Sequence, residues 1–284
     1  MNRSLARARA DAPVPAAAPI GRDAVRALYA ELALHPKPGL VSPLDSGSHD
    51  DMDMTTFMRS LFALRGYFRD IAAAGAAGAD FAALQALGIT AERRMLAATG
   101  GVNTHRGAVF ALGLLTAAAG WRARSGKAAT GRALGDTVAE RWGAGILAAA
   151  PPSADSHGAR AVRSYGVRGA RQEAAAGFPT LFSVALPTLE RTLDRLGCAE
   201  RAMVQTLFAA MARLQDTNLL HRGGADGLAF VQGEAQRFLD RGGVFRPGWR
   251  GEALDLHHAC VARRLSPGGS ADLLAAAWFV HSRR

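Results

Sequence analysis

Apolar residues recur at helical spacing along nearly the whole of this chain, and the pattern is broken by polar segments built on Gly and Pro. Val25, Leu28, Tyr29 and Leu32 form an i, i+3, i+4, i+7 stripe that predicts a helix over 22–34, stopped by Pro36 and Pro38. Phe57, Leu61, Leu64, Phe68 and Ile71 mark a longer helix over 53–74. Helices over 90–99 and 105–121 flank a Gly-Gly-Val-Asn-Thr turn, and Leu134, Val138, Trp142 and Ile146 repeat every four residues. Short helical pieces follow over 157–165 and 169–176, then a helix over 180–196 kinked or split at Pro187, then helices over 199–215, 225–240 and 251–264. Ser270 is expected to cap a last helix reaching about 281, with Asp272 near the positive end of its dipole. No segment sustains the period-two alternation of a strand. The expectation is an all-α fold, a single domain of about ten helices over 21–284, behind a disordered Arg- and Ala-rich tail over 1–20. The stretch over 125–132 reads as a loop.

The 284 residues, 49% of them hydrophobic, supply ample core. The longest apolar runs stop short of the roughly 18 residues a membrane span needs, so no membrane partner is expected. The tail lacks an apolar stretch of signal-peptide length. Cys198 and Cys260 lie far apart and suggest neither a disulfide framework nor a metal knuckle, which fits a reducing cytoplasm. The formal net charge is +10, carried almost wholly by arginine, since Lys37 and Lys127 are the only lysines. Nucleotide bias and surface solubility can produce such an excess; so can selection for a polyanionic partner. The arginines are dispersed, whereas nucleic-acid binding prefers clustered basic stripes with aromatics. A small phosphorylated ligand therefore fits better than nucleic acid.

The polar segments read PKPGLVSPLDSGSHDDMD (36–53), GGVNTHRGAVF (100–110), YGVRGARQEA (165–174) and DTNLLHRGG (216–224). Gly-rich backbone beside a helix N-terminus can approach an anion closely, and the four turns are expected to converge on one cleft. In the first, Asp45, Asp50, Asp51 and Asp53 crowd around His49; their mutual repulsion calls for a cation such as Mg²⁺, with helix capping as the alternative. His49-Asp50 also resembles the His-Asp dyad of helical metal phosphohydrolases, whose other histidines are not clearly placed here. In the second, Asn103, His105 and Arg106 add donors to a helix start, or else build a tight turn with an Asn cap. In the third, Arg168 and Arg171 are spaced to fork onto phosphate oxygens, with Glu173 as their ion-pair partner or as a general base. In the fourth, Asp216, Asn218, His221 and Arg222 are a heavy polar load for a turn alone.

These four strings, in this order and followed by SPGGSADLLA (266–275), resemble the triphosphoribosyl-dephospho-CoA synthase family, whose members serve citrate lyase and malonate decarboxylase. The resemblance runs from about Leu28 to that closing string, and Gln172 departs from it where a Gly is expected. It implies a glycosyl transfer. The 2′-hydroxyl of 3′-dephospho-CoA attacks C1′ of the ATP ribose, adenine leaves, and the product is the precursor of an acyl-carrier-protein prosthetic group. The implied cofactor is Mg²⁺ and the implied partners are ATP and 3′-dephospho-CoA. Contact with the downstream prosthetic-group transferase and homo-oligomer formation are left open, and general likeness favours the malonate decarboxylase system.

Under that chemistry Asp51 and Asp53, supported by Asp45, are expected at Mg²⁺, with Lys37, Arg106, Arg168, Arg171 and Arg222 at phosphates. Asn103, Asn218 and His221 join the substrate-binding set. Glu173 and Asp216 are the candidate base and charge stabiliser, and His49 and His105 the proton donors or orienting groups. Two rival readings remain: a Mg²⁺-dependent helical hydrolase of nucleotides or ADP-ribose-like substrates, and a non-catalytic basic helical binding protein whose acids are structural caps.

Overall fold

The computed structural model describes residues 16–149 and 157–284. Every regular element among them is helical: α1 (Ala17–Leu32), α2 (Met54–Ala76), α3 (Phe81–Ala98), α4 (Arg106–Arg124), α5 (Arg132–Ala148), α6 (His157–Tyr165), α7 (Ala170–Ala175), α8 (Leu186–Leu196), α9 (Ala199–Arg213), α10 (Thr217–Asp240), α11 (Trp249–Ala262) and α12 (Gly268–His281). The all-α expectation holds. None of these helices is long and apolar enough to cross a membrane.

The centre is built from helices that are apolar on every side and must therefore be enclosed. In α4 the run from Ala111 to Gly120 is buried without interruption, in α9 the run from Ala202 to Met211, and in α12 most positions from Ser270 to Val280. Helix α2 packs on α1, α3 and α4, and α12 packs on α4, α1 and α9. The α2–α4 crossing is backbone on backbone. A Cβ on Gly75 would sit 2.0 Å from the Ala117 carbonyl oxygen, and one on Gly120 would sit 2.0 Å from that of Ala72. Glycine on both helices is what allows this approach, near the C-terminal ends of α2 and α4.

Several boundaries differ from the sequence expectation, each for a local reason. Helix α1 begins at Ala17, so 17–20 are helical; the remainder of the expected tail, 1–15, lies outside the described residues. Its buried face runs through Ile20, Ala24, Ala27 and Leu28, while Tyr29 is 49% exposed. Helix α3 starts at Phe81, nine residues before the predicted 90, because the Asp80 carboxylate caps it by accepting the Ala83 N–H at 2.9 Å. The break expected at Pro187 takes the form of a π-helical turn, Leu181–Ala185, leading straight into α8. The fourth polar segment is itself helical from Thr217 and is broken at Gly224, where φ is 63°.

Candidate active site

A cleft of about 610 Å³ opens where separate helices begin. Gly107 and Ala111 of α4, Thr217 of α10 preceded by Asp216, and Gly269, Asp272 and Leu273 of α12 form one part of its wall. Gly166, Arg168, Gly169, Ala170 and Glu173 form another, and Phe178 to Thr180 with Ser183, and Arg213 to Gln215, complete it. Three long helices, α4, α10 and α12, thus present their N-terminal ends, the positive ends of their dipoles, to the same space.

Asp216 is the hinge pin of this arrangement. It is 1% exposed and caps α10 by accepting the Asn218 N–H on Oδ1 at 3.0 Å. Its Oδ2 accepts the Ser270 N–H at 2.9 Å and the Ser270 hydroxyl at 3.2 Å. The Ser270 side chain is therefore not the cap of α12, as the sequence suggested; it is held within the first turn by a carboxylate from another helix. Burial pushes the Asp216 carboxyl above the usual range, opposed by these hydrogen bonds.

Asp272, expected as a dipole partner of its own helix, instead reaches α4 with its carboxyl. It takes the Ala108 N–H, and a Cβ on Gly107 would meet its Oδ2 at 1.9 Å. The anion expected at the start of α4 is thus supplied by the protein. Burial, then the charges of Asp216 and Glu31, hold the Asp272 carboxyl well above the usual range.

Glu173 reaches the cleft from α7. Gly177 and Phe178, both at positive φ, reverse the chain after α7, and the Thr180 N–H comes back to donate to Glu173 Oε1 at 2.7 Å. A bulky residue at positive φ is strained and marks the turn as specified by its surroundings. Burial raises the Glu173 carboxyl. Gln172, the departure from the family pattern, accepts the Gly169 N–H on Oε1 at 3.1 Å and so secures the start of α7. Arg168 and Arg213 are the exposed cations of the cleft wall. Arg213 and Thr180 are not singled out by the sequence, and Asp272 only as a dipole partner; Arg213, three residues before Asp216, carried the most accessible signal.

A second polar cluster lies around Ser266, just before the turn that starts α12. His49 Nε2 is 2.9 Å from Ser266 Oγ, and Arg222 donates to His49 Nδ1 at 3.0 Å and to the carbonyls of Ser48 and Arg264 at 3.1 Å each. Asp51 lies 3.7 Å from His49, and Asp50 pairs with Arg264 at 3.1 Å. Burial and the Arg222 charge lower His49 to about 4, so it is neutral at physiological pH. His221 is mostly exposed, and slight desolvation with the charges of Arg160 and Arg222 lowers it.

The expectation that the four segments line one cleft is corrected for several side chains. Arg171 turns away from Arg168: its guanidinium closes the C-terminus of α5 on the carbonyls of Ile146, Leu147 and Ala149, where a cation suits the dipole. Lys37 is 1% exposed and holds the Glu31 carboxylate at 2.7 Å in a buried pair. His105 is 3% exposed, 2.7 Å from Ser60 Oγ, and lowered to about 3 by burial and by Lys37. Arg106 pairs with Glu92 at 3.0 Å, and Asn103 accepts the Arg106 N–H at 3.2 Å. Asn218 packs against Gly268, beside the Asp216 cap.

The expected metal set does not fit as a joint site. Asp45 accepts the Gly47 N–H at 2.8 Å and faces His257 at 3.3 Å, Asp51 faces His49, and Asp53 caps α2 through Thr56 at 2.8 Å. Among the described residues no three His, Cys, Asp or Glu side chains come together to hold an ion. Neither cysteine is paired, and burial pushes the Cys260 thiol up to about 12.

A sequence model of the ATP:dephospho-CoA triphosphoribosyl transferase family matches residues 17–284. The chain is 40% identical over 254 residues to the probable 2-(5''-triphosphoribosyl)-3'-dephosphocoenzyme-A synthase of Acinetobacter calcoaceticus, covering 89% of this chain and 87% of that one. It is 42% identical over 270 residues to the 2-(5''-triphosphoribosyl)-3'-dephosphocoenzyme-A synthase of Pectobacterium atrosepticum, covering 92% and 88%. It is 43% identical over 265 residues to the protein of that name in Klebsiella pneumoniae, covering 90% and 87%. No solved structure matches. Matched along all but its first residues, the chain belongs to the ATP:dephospho-CoA triphosphoribosyl transferase family.

Proposed function

We propose that this protein transfers the 5-triphosphoribosyl group of ATP to the 2′-hydroxyl of 3′-dephospho-CoA and releases adenine. The observation that supports this reading is the cleft, where carboxyl groups from three different elements, Glu173, Asp216 and Asp272, stand among helix N-termini and beside Arg168 and Arg213. Breaking an N-glycosidic bond builds positive charge on the ribose, which carboxylates stabilise. Polyphosphates are met by guanidinium groups and helix N-termini. In this reading Glu173, placed by the Thr180 N–H, takes the proton of the attacking hydroxyl. Asp216 holds the N-terminal ends of α10 and α12 in place and contributes negative charge near C1′.

Mg²⁺ enters the proposal as the companion ion of the triphosphate, held chiefly by substrate oxygens, because Asp45, Asp51 and Asp53 are directed to separate partners. The His49–Arg222 cluster is assigned a supporting role, fixing the loop that leads into α12. In this reading the enzyme acts in the cytoplasm and its product is destined for the carrier protein of malonate decarboxylase; a gene neighbourhood encoding citrate lyase would instead assign it to that system. The decisive assay incubates the protein with ATP, 3′-dephospho-CoA and Mg²⁺ and follows free adenine and product mass. Transfer gives adenine and a conjugate heavier by one triphosphoribosyl unit. Base or phosphate release that does not need 3′-dephospho-CoA would instead identify a hydrolase.

A further inference from the structure

We propose that Asp272 is the acid that protonates the departing adenine, an assignment that rests on the transfer reaction proposed above. As the bond between C1′ and the base nitrogen breaks, its electron pair goes to adenine, and a proton delivered at that moment makes adenine a far better leaving group. The histidines that the sequence suggested for this task are out of position. His105 is sealed against Ser60 beneath Phe57, and His49 has both ring nitrogens engaged, with Ser266 and Arg222.

The acid must then come from the cleft carboxyls. Asp216 has both oxygens committed as acceptors, to the Asn218 N–H and to the N–H and hydroxyl of Ser270. Glu173 sits on a different wall, on α7, where it faces the role of base. Asp272 takes the N–H of Ala108 and borders the cleft beside Gly107. The missing side chain of Gly107 is what makes room for it, since a Cβ there would lie 1.9 Å from Oδ2. Burial and the neighbouring carboxylates favour the protonated form of Asp272, as an acid catalyst requires.

The step balances. The hydroxyl oxygen of 3′-dephospho-CoA bonds to C1′ as the C–N bond breaks, its proton passes to Glu173, and the Asp272 proton passes to an adenine ring nitrogen. Exchange with solvent removes the proton from Glu173 and returns one to Asp272, so the hydroxyl proton is in effect carried to adenine.

The test compares ATP with its N7-methylated analogue, whose base leaves neutral without taking a proton. Asp272→Asn is expected to lower kcat with ATP by about 10²–10⁴-fold, the usual span for losing a general acid, and with the methylated analogue by less than about tenfold. Gly107→Ala keeps the carboxyl and crowds it, and is expected to show the same asymmetry at smaller amplitude. Equal losses on both substrates, or full turnover of ATP by Asp272→Asn, would overturn the assignment while leaving the transfer reaction standing. Failure of the unmutated protein to release adenine from ATP and 3′-dephospho-CoA would overturn the reaction itself, and this role with it.

Discussion

Asp216 and Ser270, 54 positions apart, are joined by two hydrogen bonds, from the Ser270 N–H at 2.9 Å and its hydroxyl at 3.2 Å, that lock the start of α12 to the start of α10. Asp216→Ala therefore removes a cap from one helix and an acceptor from another. We expect loss of turnover together with a stability loss of about 1–3 kcal/mol in urea unfolding, with Asp216→Asn less harmful to stability. An Asp216→Ala protein as stable as the parent would contradict the shared cap.

The two arginines of the third polar segment are expected to behave oppositely. Arg171→Ala uncaps α5 and should lower the melting temperature while changing KM for ATP by less than about twofold. Arg168→Ala should leave the melt in place and raise KM for ATP by about tenfold, roughly the 1.4 kcal/mol of one lost charge-assisted contact. Steady-state kinetics beside circular-dichroism melts separate the two.

His105 supplies a pH dependence of stability. Its folded value of about 3 lies below the ordinary 6.5, so between those limits the unfolded chain binds the extra proton. The stability it contributes is complete above the ordinary value and is lost as pH falls through the window, at up to about 1.4 kcal/mol per pH unit. His49, lowered to about 4, adds in the same direction. Melts between pH 8 and pH 5 should decline, and His105→Gln should flatten the decline; an unchanged slope in that variant would remove His105 as its source.

Asp53 tests the metal reading. As the N-cap of α2, bonded to Thr56 through both N–H and hydroxyl at 2.8 Å, it should cost about 1 kcal/mol of stability on replacement by Ala. The Mg²⁺ concentration giving half-maximal activity should stay where it was, following the concentration of ATP. A marked rise in that concentration would return Asp53 to the ion.

Much of the architecture was legible because core burial imposes helical spacing. Leu61, Leu64, Phe68 and Ile71, and again Leu134, Val138, Trp142 and Ile146, are buried as their spacing demands. The α3 start was missed although Asp80 stood in the capping position, because the Ala-rich run with Gly88 that follows has weak apolar contrast. The polar segments were legible as turns rich in chemistry, but the direction of each side chain was not. Arg171 is drawn to the carbonyls of Ile146, and His49 to Ser266, 217 positions away. Such partners follow from tertiary packing and have no local signature. Asp272 was visible as an acid on a first turn; that it would lean across to Ala108 depended on the crossing geometry of α4 and α12.

The most direct measurement is a crystal structure of the protein with the 2-(5''-triphosphoribosyl)-3'-dephospho-CoA product bound. The new glycosidic oxygen is expected in the cleft between Glu173 and Asp272, with the triphosphate directed to Arg168 and Arg213. Product seated instead against His49 and Arg222, with the Glu173–Asp272 cleft empty, would contradict the assignment of the reaction to this cleft.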